Sequence, residues 1–246
     1  MSLRIAFDCD GVVADLDSAL AEIATRLFGE APTRRPARAA EPQASPATEA
    51  RAGEAGDPGA ADGLTPEEEQ VEPARFRALT RQQQHAIWEA ARNTENFWES
   101  LGETEPGAVA RLAALARDRG WEVIFITQRP SSLGDATQLQ TQRWLAAHGY
   151  DLPSVYVIKG SRGKVADALS LDIVVDDRPE NCLDVKLESR ARSILVWDGD
   201  FADLPPNAPR LGIEPVAGIG ACLDLLSATG QEATGLLARI KRLMGA

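Results

Sequence analysis

Apolar residues along this chain gather into short, β-branched runs separated by longer stretches of helical spacing. The runs at 3–7, 121–126, 155–158, 171–175 and 193–197 are bounded by glycine, proline or charge and predict buried strands. Residues 12–28 carry Val12, Leu16, Leu20, Ile23 and Leu27 at helical intervals and stop at Gly29. Residues 106–119 repeat the pattern with Val109, Leu112, Ala113 and Leu115 and stop at Gly120. Further helices are predicted at 179–190 and 219–226. Strands alternating with helices imply an α/β fold: a Rossmann-like, three-layer parallel sheet.

Each of the first four runs ends in a polar group. The first leads into Asp8-Cys9-Asp10-Gly11, two carboxylates at period two beside a glycine that lets the backbone turn. The second delivers Thr127, with Gln128 and Arg129 behind it. Lys159 and Lys164 follow the third, and the fourth ends in Asp176-Asp177. In an open parallel sheet, ligands bind outside the carboxyl ends of the strands, so these positions predict one site.

Between the first two strands the chain is too long for a simple crossover, so it must hold an additional unit. Residues 31–66 are rich in alanine, proline, glycine, glutamate and arginine, with Leu64 the one large apolar side chain. That composition predicts a disordered insert, with a docking linker as the alternative. Thr65, Pro66 and Glu68 read as a helix start, and residues 72–96 as one or two helices carrying Phe76, Leu79, Ile87 and Trp88. The segment 232–244 reads as a terminal helix on the core.

Across 246 residues, 44% are hydrophobic, enough for a substantial core. A net charge of −11 argues against a sequence-independent grip on a nucleic-acid backbone. Cys9, Cys182 and Cys222 lack metal-ligand spacing, which fits a reduced, cytoplasmic protein. No signal-peptide core and no membrane-length apolar stretch is seen, so a membrane role is not expected. His85 and His148 read as helix-surface residues, and Cys9 as pointing into the core.

With these motifs in place, the chain resembles the haloacid dehalogenase (HAD) superfamily of phosphotransferases. Its signature is an Asp-x-Asp-Gly strand end, a Thr or Ser strand end, a lysine and an acidic pair. Asp8 to Asp15, Lys164 ahead of Asp176-Asp177-Arg178-Pro179, and Phe97-Trp98 ahead of Pro106-Gly107-Ala108 look most like its 5'(3')-deoxyribonucleotidase branch. The resemblance implies a HAD-like core over 1–15 and 100–246. It also implies a small helical cap, inserted after the first strand, over 16–30 and 67–99, with 31–66 as the insert.

The resemblance further implies that Asp8 attacks phosphorus, and that Asp10 protonates the leaving alkoxide and later activates water. Thr127, Gln128 and a lysine would hold the phosphate, Lys164 being preferred to Lys159. Dehalogenases of the superfamily lack the second acid, so Asp10 favours phosphate transfer. Four aspartates in one cleft call for a cation: two such charges about 4 Å apart repel by roughly 4 kcal/mol. All-oxygen ligands suit Mg²⁺, held by Asp8, the Asp10 carbonyl and Asp177, with Asp176 beside it or reaching it through water. Trp88, Phe97, Trp98 and Arg129 could line a substrate pocket, the aromatic rings stacking on a base or packing the cap onto the core. The expected function is Mg²⁺-dependent hydrolysis of a small phosphomonoester through an aspartyl-phosphate, with a nucleoside monophosphate as one substrate class and a sugar phosphate as another. A non-catalytic binding module is the third alternative.

Overall fold

The computed structural model describes residues 2–29, 79–206 and 208–228. The expected insert over 31–66, the helix start at Thr65 and the terminal helix over 232–244 lie outside the described residues.

Six strands form one parallel sheet: β1 (Arg4–Asp8), β4 (Glu122–Thr127), β5 (Ser154–Val157), β6 (Ile173–Asp176), β7 (Arg192–Val196) and β8 (Ile213–Val216). Their spatial order is β5-β4-β1-β6-β7-β8. The chain builds from β1 to one edge through β4 and β5, then returns to the other side of β1 with β6. That reversal makes β1 the switch strand, where parallel sheets open a crevice at their carboxyl ends. Two two-residue strands, β2 (Ala14–Asp15) and β3 (Gly102–Glu103), pair antiparallel beside it.

Strand alternation divides the core into layers. Ile5, Phe7, Val123, Phe125 and Val175 pack with α3 (Ala108–Arg119), with Trp144 of α4 (Thr137–Ala147), and with Leu223 of the helical residues 219–228. On the opposite face Ala6, Ile124, Ile126 and Val174 pack with Ala166 of α5 (Arg162–Ala168) and Val185 of α6 (Pro179–Glu188). Helices on both faces of a parallel sheet are the expected three-layer arrangement.

The first helix, α1 (Leu16–Phe28), starts four residues later than the periodicity predicts. Residues 11–13 instead turn, with the Gly11 and Ala14 N–H groups bonding to Ala14 and Cys9 carbonyls respectively, and Asp15 caps the helix by accepting from the Ser18 N–H at 2.9 Å. A second helix, α2 (Arg81–Arg92), opens with a capping box between Thr80 and Gln83. Its Ile87, Trp88 and Ala91 join Leu16, Leu20 and Ile23 of α1 in the same apolar cluster as the sheet face. The edge strand β8 has no counterpart among the sequence expectations. It contains Pro215, which cannot donate to a ladder and is tolerated at an edge.

Candidate active site

The carboxyl ends of β1, β4 and β6 meet at the switch point, and the buried polar residues of the molecule concentrate there. Asp8, Asp10, Thr127, Gln128, Arg129, Arg162 and Asp176 are all buried. Gly11 makes the turn beyond Asp10 with φ 77°, and an added Cβ would overlap the Asp177 carboxylate. The glycine is therefore required both by conformation and by close approach.

Asp10 is gripped by Arg129. Its Oδ1 accepts from Nη2 at 2.8 Å and Nε at 3.1 Å, and its Oδ2 accepts from Nε at 2.9 Å and from the Thr127 hydroxyl at 3.3 Å. The remaining terminal nitrogen of Arg129, Nη1, donates to Thr141 Oγ1 at 2.9 Å, and the guanidinium carbon lies 4.8 Å from the Trp98 ring centroid. Burial works against the charge on Arg129, but the neighbouring anions outweigh it, so its pKa rises.

Asp8 meets a different arginine. Arg162 Nη2 donates to Asp8 Oδ1, while Arg162 Nε donates to Asp176 Oδ2 at 3.1 Å. Asp176 also accepts from the Arg178 N–H at 2.9 Å and from Asn181 Nδ2 at 3.0 and 3.1 Å. Both of its oxygens are thus committed to N–H donors. Arg162 sits at the start of α5, after the Ser161 N-cap, and Gly163 beside it packs so closely on the Asp184 carbonyl of α6 that a Cβ there would overlap it.

Two carboxyls remain poorly compensated. Burial pushes the Asp8 carboxyl well above the ordinary value near 3.8; Arg162 opposes the rise, and Asp176 and Asp10 add to it. Asp177 is raised likewise, first by withdrawal from solvent and then by Asp176 and Asp8, although its residue as a whole keeps some exposure. A hard cation is the chemistry that relieves such crowding. Among the described residues no three His, Cys, Asp or Glu side chains form a ready metal-holding group. Asp10 and Asp176 accept from nitrogen donors on both oxygens and Asp8 accepts from Arg162 on Oδ1, so Asp8 and Asp177 are the carboxylates that could take part in holding such a cation. All-oxygen donors of this kind suit Mg²⁺, which keeps several of its waters.

The remaining expected residues have settings of their own. The Lys164 side chain is 77% exposed and lies 3.8 Å from the Glu188 carboxylate, away from the aspartates. Lys159 is exposed as well. Trp88, Phe97 and Trp98 are packed in the core rather than open to a ligand. The indole N–H of Trp98 donates to the Pro130 carbonyl at 2.9 Å. Gln128 donates to the Gly160 carbonyl at 3.1 Å. The Cys9 thiol is buried in the apolar cluster, as its expected inward direction requires, and burial raises its pKa far above the range of a reactive thiolate. Arg162 and Thr141 are the members that the sequence expectations lack. Helical phase is the available signal for Arg162: residues two apart on a helix point roughly 200° apart, so only one of positions 162 and 164 can face the sheet.

An open depression of about 440 Å³ lies beside the cluster, lined by Gln128, Ser161, Arg178, Asn181 and Asp184 among others, with no aromatic ring in its lining.

No protein-family model matches the chain, and no curated protein matches it. Solved structures are similar in fold. A haloacid dehalogenase-like family hydrolase from Streptococcus pneumoniae is 11% identical, covering 93% of this chain and 98% of its own, with a TM-score of 0.45. A hydrolase from Pseudomonas syringae is 14% identical, covering 93% and 99%, at 0.48. A predicted phosphatase from Clostridium acetobutylicum is 13% identical, covering 93% and 99%, also at 0.48. At such scores these likenesses assign neither substrate nor residue roles, so the site must be read from its own chemistry.

Proposed function

We propose that this protein is a HAD-type phosphatase: a Mg²⁺-dependent phosphomonoester hydrolase that works through an aspartyl-phosphate on Asp8. The observation that carries the reading is the pairing at the switch strand. Two carboxylates two residues apart are held by separate buried arginines, so that Asp8 and Asp10 have different surroundings and can take different tasks.

Asp8 Oδ2, the oxygen not engaged by Arg162, attacks phosphorus, and the bond from phosphorus to the ester oxygen breaks. The leaving oxygen takes a proton from Asp10. Water then attacks the phosphorus, gives a proton to Asp10, and the bond from phosphorus to Asp8 breaks. Inorganic phosphate leaves with both aspartates restored. Arg129 orients Asp10 throughout. Oδ2 carries the longest contact of that set, the 3.3 Å bond from Thr127, and is the oxygen suited to carry the proton. Mg²⁺ held by Asp8, Asp177 and the Asp10 carbonyl would offset charge on the phosphoryl oxygens. Thr127 supplies a hydroxyl at the same end of the sheet, and α1 and α2 are read as the described part of a cap.

The substrate reading is a small polar phosphomonoester such as a sugar phosphate. Trp88, Phe97 and Trp98, the rings expected to stack on a base, are buried in the core, and the depression beside the cluster has no aromatic residue in its lining. The net charge of −11 speaks against a nucleic-acid polymer, and three buried free thiols fit a reducing, cytoplasmic setting. Among the described residues no helix is long and apolar enough to cross a membrane.

The test is phosphate release with Mg²⁺ from p-nitrophenyl phosphate, sugar phosphates and nucleoside monophosphates. Sugar phosphates should lead, and Asp8→Asn should lower turnover by about a thousandfold or more. Full activity in Asp8→Asn would end the reading, and a clear preference for nucleotides would replace its substrate class.

A further inference from the structure

Arg129 grips Asp10 side-on, through Nε and Nη2, and turns Nη1 away toward α4. There Nη1 donates to Thr141 Oγ1 at 2.9 Å. Thr141 is fully buried, and its own proton goes to the Thr137 carbonyl at 2.8 Å, so its oxygen faces Arg129 as an acceptor. Trp98 covers one face of the guanidinium. That ring is itself fixed, since the indole N–H donates to the Pro130 carbonyl and the Trp98 main-chain N–H donates to Gln140 Oε1 at 3.1 Å. An in-plane swing of Arg129 would bring Nη1 and Nη2 to Asp10 end-on, and the bond to Thr141 opposes that swing.

The two grips leave the carboxylate in different states. Side-on, Oδ1 takes Nη2 at 2.8 Å and Nε at 3.1 Å, while Oδ2 takes Nε at 2.9 Å and the Thr127 hydroxyl at 3.3 Å. End-on, each oxygen would face one terminal nitrogen, and neither would be favoured to carry a proton. We infer that Thr141 is a positioning residue for proton transfer: by holding Nη1 it keeps Arg129 side-on, which leaves Oδ2 of Asp10 as the oxygen that gives and takes the proton. The inference rests on the phosphatase reading. As Asp8 bonds to phosphorus, the electron pair of the breaking ester bond passes to the leaving oxygen, and the proton on Asp10 Oδ2 passes to that oxygen. Attack by water then returns a proton to the same Oδ2. A hydroxyl that lies behind Arg129 thereby governs how readily a poor leaving group departs.

Leaving groups supply the test, because nitrophenolate departs readily without a proton and phenolate does so less readily. With Mg²⁺ present, kcat/KM for p-nitrophenyl phosphate and phenyl phosphate is measured on the full chain and on Thr141→Val, Thr141→Ala and Thr141→Ser. Thr141→Val keeps the shape and removes the acceptor, so kcat/KM should fall about tenfold with phenyl phosphate and no more than about twofold with p-nitrophenyl phosphate. Thr141→Ala makes the same comparison if the valine variant does not fold. Thr141→Ser keeps the oxygen and should recover most of the loss. Orthovanadate, a phosphate mimic with no leaving group to protonate, should bind Thr141→Val as tightly as the unaltered protein in calorimetry. Equal losses with the two esters, no loss with either, a serine variant as impaired as the valine one, or weakened orthovanadate would each overturn the inference while leaving the phosphatase reading in place. That reading falls by a separate result, turnover retained in Asp8→Asn or absent from the unaltered protein, and the inference falls with it.

Discussion

Asp8 and Asp10 stand on one strand tip, yet the two halves of the site are built differently. On the Asp10 side, every terminal nitrogen of Arg129 has an acceptor, its flat face lies on Trp98, and Thr141 passes its own proton back to the Thr137 carbonyl at 2.8 Å. This half is saturated and locked into the core. On the Asp8 side, Arg162 keeps a donor with no partner among the described residues, and the Asp177 carboxyl is raised by burial and by Asp176 and Asp8, with Arg178 opposing. The lesson is that a satisfied ion pair positions, whereas an incompletely satisfied one leaves capacity for a ligand.

The comparison can be broken most forcefully at Arg129. Arg129→Ala would strand a buried carboxylate, and losing one partner of a buried pair costs about 3–5 kcal/mol. For a chain of this size each kcal/mol shifts Tm by about 2–4 °C, so calorimetry should show a fall on the order of 10 °C, with or without vanadate. Arg162→Lys should lose much less. Equal losses would erase the distinction between the two halves.

Thr141→Val sharpens the contrast, because it gives Arg129 the same orphaned nitrogen that Arg162 has. The expected cost is about 1–3 kcal/mol in denaturant unfolding. A neutral Thr141→Val would mean that the Arg129 network is not saturated after all.

The smallest effect is in pH. Asp8 and Asp177 have folded-state pKa values raised above about 3.8, so between that value and the raised ones the folded state holds more protons than the unfolded state. Their contribution to stability is complete below about pH 3.8 and is lost as pH rises through the raised values. Metal-free protein should therefore lose stability from this source as pH rises through those raised values. Mg²⁺ should restore more Tm at pH 8 than at pH 5, and Asp177→Asn should flatten the difference. A stabilisation by Mg²⁺ that is equal at both pH values would disconnect the cation from these carboxyls.

Much of the architecture was legible because strand tips announce themselves. β-branched runs ended by charge placed Asp8, Thr127 and Asp176 at one end of a parallel sheet, and the helix stops at Gly29 and Gly120 were equally plain. Side-chain direction was harder to read. Lys164 has the favoured chemistry and spacing, but the seven-residue helix turns position 162 inward, a matter of helical phase that motif spacing ignores. Trp88, Phe97 and Trp98 could equally have faced a ligand or a core, since large aromatic rings serve both purposes. Arg129 reads in sequence as able to line a substrate pocket, and nothing near it shows its commitment to Asp10, which is 119 positions away. β8 hides behind Pro215, a residue that argues against a strand unless the strand is known to be an edge.

The position of the switch strand ahead of its partners in sequence has a kinetic consequence. Asp8 meets its arginine across 154 positions, and Asp10 meets Arg129 across 119. Contacts of such sequence separation form late, after the local helices and neighbouring strands have settled. A chain still being synthesised leaves Asp8 and Asp10 unmatched until residues 129 and 162 have been added. Recovery of the site during refolding thus times the last long-range closure of the sheet, and a fragment ending before residue 177 has a strand tip but no site.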